Sequence, residues 1–377
     1  MRIVIAGDYC ESGRVKDVLE TTHDSLISSE LCKEIEFADI ASVNFEFPII
    51  DNITPKPISK RGPHLFGNKE SIRLLRNAGF NLCTLANNHI LDQGEECCLH
   101  TKELLEINHI STVGVGENMT EASRTKCLSI HDETVAIINC CEHEFSIATD
   151  NSAGANPINP IQQYYAIKYA KEKVDYVVVI VHGGIEHYQL PTPRMKEIYR
   201  FFIDAGADSV VNHHQHCYSG YEIYKGKPIF YGLGNFLFDW EGKRNCIWNE
   251  GYMVSLVFFK TKVDFRLIPY TQCNERVIVS PMTDSETTTF YSKIELLNAI
   301  IQDDDELKKC HENRMAQETP MYRLLLQPYS SRIAKWLYNR GLLPSVITEY
   351  LRLGYIDYLE CESHLERMLY TLKTMKK

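Results

Sequence analysis

Short apolar runs alternate with amphipathic stretches over the first 270 residues. Runs rich in β-branched residues at 2–6, 38–45, 80–86, 110–115, 134–139, 176–181, 209–211 and 228–233 have the length and composition of buried strands. Between them, 69–77, 95–106, 161–173 and 195–205 carry helical spacing. Strands that alternate with helices predict an α/β domain with a largely parallel sheet. Residues 252–260 and 263–269 read as a hairpin about Thr261 and Lys262. From about residue 287 the period changes: Leu296, Leu297, Ile300 and Ile301 recur at helical spacing, and 322–338 and 356–372 repeat the style. The chain therefore divides into a domain over 1–275 and a helical extension over 285–377. The extension holds three or four helices, punctuated by Pro320, by Gly341 with Pro344, and by Gly354,. It is expected to cover an edge of the first domain or to make a subunit contact.

The polar residues that interrupt this pattern fall at one kind of place. Successive apolar runs end in Gly7-Asp8, Asn44-Phe45-Glu46, Asn87-Asn88-His89, His182-Gly183-Gly184, Asn212-His213-His214-Gln215-His216 and Gly234-Asn235. In an open α/β sheet the carboxyl ends of the strands converge on one crevice, so these residues, remote in sequence, are expected to meet. Asp, Glu, Asn and His are hard or borderline donors that suit Mn²⁺, Fe²⁺ or Zn²⁺. One carboxylate can bridge two such ions, and the pair polarises a phosphoryl or acyl oxygen and acidifies a water. Alternate histidines on an extended segment point to one side, which makes 213–216 the strongest single piece.

Composition narrows the function classes. The 377 residues hold 40 Lys+Arg against 50 Asp+Glu, a net charge of −10, which argues against nucleic acid or an anionic membrane as the main partner,. Hydrophobic residues at 44% and aromatics at 10% are ample for a core,. The acidic excess lies in the first 300 residues, so the extension is compositionally distinct. Thirteen cysteines are scattered without a CxxC pair, which favours free thiols in a reducing compartment over a zinc ribbon or a disulfide framework. The opening MRIVIAGD is too short for a signal peptide, and no run approaches the 18 apolar residues of a membrane span,. The expected address is the cytoplasm, with recruitment to membranes through partners. No GxGxxG follows the first run, which excludes a dinucleotide fingerprint.

The conjunction of motifs resembles the CapA family of poly-γ-glutamate capsule-biosynthesis proteins, a branch of the calcineurin-like metallophosphoesterase superfamily. The matching text is GDYC at 7–10, NFEFP at 44–48, AGFNLCTLANNHILDQG at 78–94, VVVIVHGGIEHY at 177–188, AGADSVVNHHQH at 205–216 and GKPIFYGLGNFLF at 226–238. It covers about residues 1–270 and leaves out the extension. The resemblance implies two packed sheets flanked by helices. It makes Asp8, Glu46, Asn88, His182, His214 and His216 ligands of one or two divalent ions (Mn, Fe or Zn), with Glu46 bridging. It makes His89 the general acid to a leaving group and leaves His213 as a neighbour. Two positions depart from the pattern: Cys10 stands where the wider superfamily has a histidine, and Asn212 where a glycine is usual.

Around this set, Asp92 is expected to hold the ANNH loop, Glu186 and His187 to orient a ligand, and Asn235 to brace a strand-end turn. Arg61 and Arg194, with Lys60 and His64 nearby in sequence to the first, are candidates for binding an anionic substrate. The reading is a metal-dependent hydrolase of phosphoester or amide bonds in capsule, poly-γ-glutamate or related polymer metabolism. Its substrate would be an anionic small molecule or polymer, and a protein partner or a second copy would meet the C-terminal helices. The rival reading is a non-catalytic assembly subunit of a polymer-synthesis complex docking through those helices.

Overall fold

The computed structural model describes residues 1–21, 26–260, 262–326, 336, 337, 340, 342 and 348–375. Its strands are β1 (Arg2–Cys10), β2 (Ile40–Phe45), β3 (Leu82–Thr84), β4 (Ser111–Val113), β5 (Val115–Gly116), β6 (Lys126–Ile130), β7 (Glu133–Cys141), β8 (Gly154–Ala155), β9 (Tyr176–His182), β10 (Ser209–His213), β11 (Tyr221–Tyr224), β12 (Lys227–Phe230), β13 (Asn235–Phe238), β14 (Glu250–Phe258), β15 (Val263–Gln272) and β16 (Val279–Pro281). The helices are α1 (Arg14–Thr21), α2 (Ser29–Glu36), α3 (Glu70–Asn77), α4 (Glu95–Ile107), α5 (Met119–Ala122), α6 (Pro160–Lys171), α7 (Pro193–Ala205), α8 (Asp284–Gln302), α9 (Asp304–Leu326), α10 (Glu349–Glu360) and α11 (Glu362–Thr374).

Two sheets form. The first runs β16-β15-β14-β1-β2-β3-β4, with β13 also paired to β1; the second runs β11-β12-β10-β9-β7-β6. Each has a parallel centre and antiparallel margins: β14 to β16 on the first, β6 and β11 on the second. Alternation along β1 explains the layering, since successive side chains leave a strand on opposite faces. Ile3 and Ile5 pack with Val178, Ile180, Val254 and Leu256 between the sheets. Val4 and Ala6 face the other way, into a layer with Leu31, Ile35, Leu74 and Leu75 from α2 and α3. On the second sheet, Val177, Val179 and Val181 meet Ile167, Tyr199 and Phe202 of α6 and α7. The expected architecture, two packed sheets flanked by helices with a helical extension, is the one observed.

The expected strands and helices of the first 270 residues occur, with shifted ends. The hairpin pairs β14 with β15. Short helices α1 and α2 and strands β6, β11, β13 and β16 went unread. β6 alternates half-buried and exposed positions at a sheet edge, and β13 was taken for a turn. In the extension, α9 runs through position 320 and α10 through Gly354, so neither ends a helix. The break within 356–372 falls instead at Cys361, between α10 and α11. Positions 341 and 344, and most of 327–339, lie outside the described residues. The extension does not stand apart. Phe290 and Ile294 of α8 are buried against Tyr218 and Tyr252, and α10 and α11 pack beside the loop that follows β7.

Candidate metal centre

The carboxyl ends of β1, β2, β3, β9 and β10 deliver their polar residues to one place. Register does part of this: Asp8 lies opposite Asn44 on one side and Asn235 on the other, and His182 lies opposite His213. The approach of β13 to β1 requires Gly7, because a Cβ there would stand 1.9 Å from the carbonyl oxygen of Gly234.

Two groups of donors converge, Asp8 with Glu46 and His216, and Glu46 with His182 and His214; within each, the ligand atoms lie within 4.8 Å of one another. Glu46 belongs to both. All five residues are buried. Asn88 joins the second group, its Oδ1 3.0 Å from His182 Nε2, and His214 Nδ1 stands 3.0 Å from the same nitrogen. The Glu46 Oε1 atom has no hydrogen-bond partner among the described residues. His182 Nε2 and His216 Nε2 each stand 3.7 Å from it. That is too long for a hydrogen bond and close to the separation of two donors each about 2.1 Å from a shared ion. The donor set fits divalent metal, with Glu46 common to both groups.

The electrostatics agree with that fit. Burial pushes the carboxyls of Asp8 and Glu46 up, and at Glu46 the Asp8 charge adds to it. Burial also lowers His182, His216 and His214, the last to about 4. At neutral pH the imidazoles are therefore uncharged, the form that ligates, and two buried carboxylates lack a compensating charge. Asn44, which sequence reasoning did not select, donates to Asp8 Oδ1 at 2.8 Å and approaches His182 Nδ1 at 3.2 Å. Its place at a strand end was the available signal. Asn235 braces a ligand as well as a turn. Its amide nitrogen donates to the carbonyls of His216 and Trp248, so its oxygen, 2.8 Å from His216 Nδ1, accepts from that nitrogen and leaves Nε2 for Glu46's side,.

The closing histidines are presented differently from the expectation. β10 ends at His213, and His214 and His216 then adopt left-handed backbone with φ of 88° and 52°. A strained turn, not an extended segment, aims them. Asn212, where glycine is usual, fills its cavity with use: it accepts from Tyr199 Oη at 2.7 Å and donates to the carbonyls of Gly183, His213 and Tyr231. His213 is buried, both its ring nitrogens lack a hydrogen-bond partner among the described residues, and Nδ1 is 3.6 Å from Asp8 Oδ1. Cys10 is buried, and burial followed by the charge of Glu46 pushes its thiol well above the usual range.

His89 lines a cavity of about 350 Å³ beside His214 and Asn88. Its Nδ1 is 2.7 Å from Asp92 Oδ2, and Asp92 pairs through its other oxygen with Lys60 while accepting the Leu65 N–H at 2.6 Å. Burial alone would raise Asp92, but His89 and Lys60 outweigh it and hold the carboxyl low. Glu186 lies at the rim of the same cavity. His187 sits further along, its ring centroid 5.7 Å from Trp248. Arg61 lines the cavity and contacts Tyr358 Oη. Arg194 does not reach it: this exposed residue borders a separate small hollow beside Glu142 and Glu362.

The cavity also has walls that sequence reasoning missed. Asp357, Tyr358, His364 and Arg367 of α10 and α11 roof it, and Glu144 and Phe145 close one side. Helical spacing gave the helices but no clue to where they dock.

Residues 2–240 match the family described as Bacterial capsule synthesis protein PGA_cap. The chain belongs to that family. Its relatives include two proteins named for capsule or PGA biosynthesis. "Capsule biosynthesis protein CapA" of Bacillus anthracis is 28% identical over 63% of this chain and 60% of its own length. "PGA biosynthesis protein CapA" of Bacillus subtilis is 33% identical over 54% of each chain. The match thus spans between half and two thirds of those relatives. Among solved structures, a phosphatase from Mycoplasma pneumoniae overlaps with a TM-score of 0.44 at 18% identity, covering 73% of this chain and 95% of that one. A putative 5'-nucleotidase from Staphylococcus aureus gives 0.44 at 13%, covering 78% and 58%. The PGA_cap match contains every residue of the two donor groups and stops short of the roof. All thirteen cysteines are free, and no helix among the described residues is long and apolar enough to cross a membrane.

Proposed function

We propose that this PGA_cap protein is a metal-dependent hydrolase acting on a phosphoester, with an amide as the less favoured bond, in an anionic substrate. The observation that carries the reading is Glu46, a fully buried carboxylate shared by two donor groups, with one oxygen unpaired between two neutral imidazoles. Asp8, Glu46 and His216 would hold one ion; Glu46, Asn88, His182 and His214 the other. Bound there, a Mn, Fe or Zn pair supplies Lewis-acid polarisation of the scissile group and an acidified water. Asp92 fixes His89 through Nδ1, leaving Nε2 to deliver a proton to the leaving oxygen,. Lys60 and Arg61 give the cavity wall positive charge for the substrate's anionic groups, while Asn235 and Asn44 hold ligands in place. Relatives named for capsule and PGA biosynthesis support a polymer-linked substrate.

The test is metal content of protein purified without a metal affinity column, beside His214→Ala and His216→Ala, each assayed on a generic phosphodiester. Near-stoichiometric Mn, Fe or Zn that falls with turnover in both variants supports the hydrolase. A folded, metal-free wild type that stays silent after metal is returned overturns it.

One observation favours a second reading, a non-catalytic assembly subunit. Cys10 replaces a histidine donor, and its buried thiol resists ionisation, so the first ion has one donor fewer. In that reading α10 and α11 would face a protein partner instead of a substrate.

A further inference from the structure

A third group of metal-capable side chains lies outside the strand-end centre. Glu144, Cys361 and His364 place one donor atom each within 4.8 Å of one another. Glu144 follows β7; Cys361 joins α10 to α11; His364 is in the first turn of α11. Asp357, one turn before Cys361, adds an oxygen, its Oδ2 3.1 Å from His364 Nδ1. Asp357 is only 6% exposed, yet its Oδ1 has no hydrogen-bond partner among the described residues.

The carboxylates nearby do not share one fate. Glu362 is paired with His143 at 2.7 Å, and Glu142 accepts the Gly184 N–H at 3.0 Å. Glu144 is hydrogen-bonded to Asn88, and His364 is the cation-capable group that Glu144 and Asp357 share. Carboxylate charge is unfavourable when buried unless a cation or a full hydrogen-bond set compensates it. Thiolate, imidazole and carboxylate together are the donors of a tetrahedral zinc site, with Zn–S about 2.3 Å and Zn–N or Zn–O about 2.0–2.2 Å. Those lengths put neighbouring donors roughly 3.3–3.7 Å apart in a tetrahedron, within a small side-chain rotation of the present spacing.

We propose that Glu144, Cys361, His364 and Asp357 bind a structural zinc ion that fastens α10 and α11 over the cavity. Ligation takes the proton from the Cys361 thiol, and Glu142 Oε2, 3.5 Å from Sγ, is the acceptor at hand. The ion locks the roof from one side of the cavity, because Asp357, His364 and Glu144 all line it. The two sites share no ligand, although Glu144 meets the strand-end set through a hydrogen bond with Asn88.

Cobalt(II) tests this without any activity assay, since a bound thiolate gives a near-ultraviolet charge-transfer band that oxygen and nitrogen donors do not. Metal-stripped full chain is titrated with Co²⁺ alone. The expected wild-type result is a thiolate band whose final intensity corresponds to one thiolate-bound Co²⁺ per chain and that is lost in Cys361→Ser. In His364→Ala, which keeps the thiol, Co²⁺ should bind at least tenfold more weakly at this site. The band should survive in His214→Ala, so failure of the hydrolase reading leaves the result unchanged. Circular dichroism confirms that each variant is folded. Absence of a thiolate band in the wild type, or its persistence in Cys361→Ser through another cysteine, overturns the proposal. So does unchanged affinity in His364→Ala.

Discussion

Asp92 Oδ2 lies 2.7 Å from His89 Nδ1, three residues back along the chain. The pairing fixes which nitrogen of His89 is engaged and which remains for chemistry. A general acid contributes about 10²–10⁴ to rate. His89→Ala should therefore lower kcat by about that factor with metal content unchanged. Asp92→Asn keeps the shape but loses the charge, and should cost roughly tenfold or more through mispositioning of His89. Steady-state kinetics beside metal analysis checks both, and a His89→Ala variant that loses its metal would contradict the role.

Asn235 makes a separable prediction. Its oxygen holds His216 by Nδ1 at 2.8 Å. Partners of this kind are worth about 10–100-fold in metal affinity. Asn235→Ala should lose the ion held by Asp8, Glu46 and His216 at chelator concentrations that leave the second ion bound. Competition with a graded chelator series separates the two.

Metal removal should reverse the effect of one substitution. In metal-free protein Glu46 is a buried carboxylate beside Asp8, and burial with that charge raises its pKa, so Glu46→Gln should raise the melting temperature of the stripped chain. With metal present the wild type gains stability from binding, about 2.7 kcal/mol when free ion is 100 times Kd, and Glu46→Gln forfeits it. Melting curves with and without chelator should cross over in rank.

Glu11 offers a pH signature away from the metal. It is 2% exposed and accepts from the Asn68 N–H at 2.8 Å and Ser71 Oγ at 2.6 Å. Burial outweighs those bonds and raises its carboxyl from 4.5 to about 6. A raised folded-state value means the native chain holds the proton longer than the unfolded chain. The associated stability is full below pH 4.5 and is lost as pH rises through 6, on the order of 2 kcal/mol in all,. Urea midpoints across that window should fall for the wild type relative to Glu11→Gln.

How far the sequence carried the structure depends on where each residue's partners lie. The central strands were legible because both faces of β1, β7, β9 and β10 are buried, which forces unbroken apolar runs whose ends are then visible. The convergence of the polar residues at those ends followed. β6 was not legible because an edge strand with exposed alternate positions lacks that run. Gly354 was read as a breaker on local propensity, but tertiary packing keeps it inside α10,. Arg194 and Arg61 look alike in sequence, and only the fold shows that they line different hollows. Glu144, Asp357 and His364 carried no local sign, because their meaning comes from a docking between segments more than 200 residues apart.

The turn that carries His214 and His216 is completed in the first two thirds of the chain, whereas Asp357, Tyr358 and His364 come from well downstream. On the proposed function, the donor set would emerge during synthesis while the cavity is still open on one side. Access narrows only when α10 and α11 emerge. A nascent or proteolytically trimmed chain would then be a less choosy version of the finished protein, able to load its ions but not to sort what reaches them.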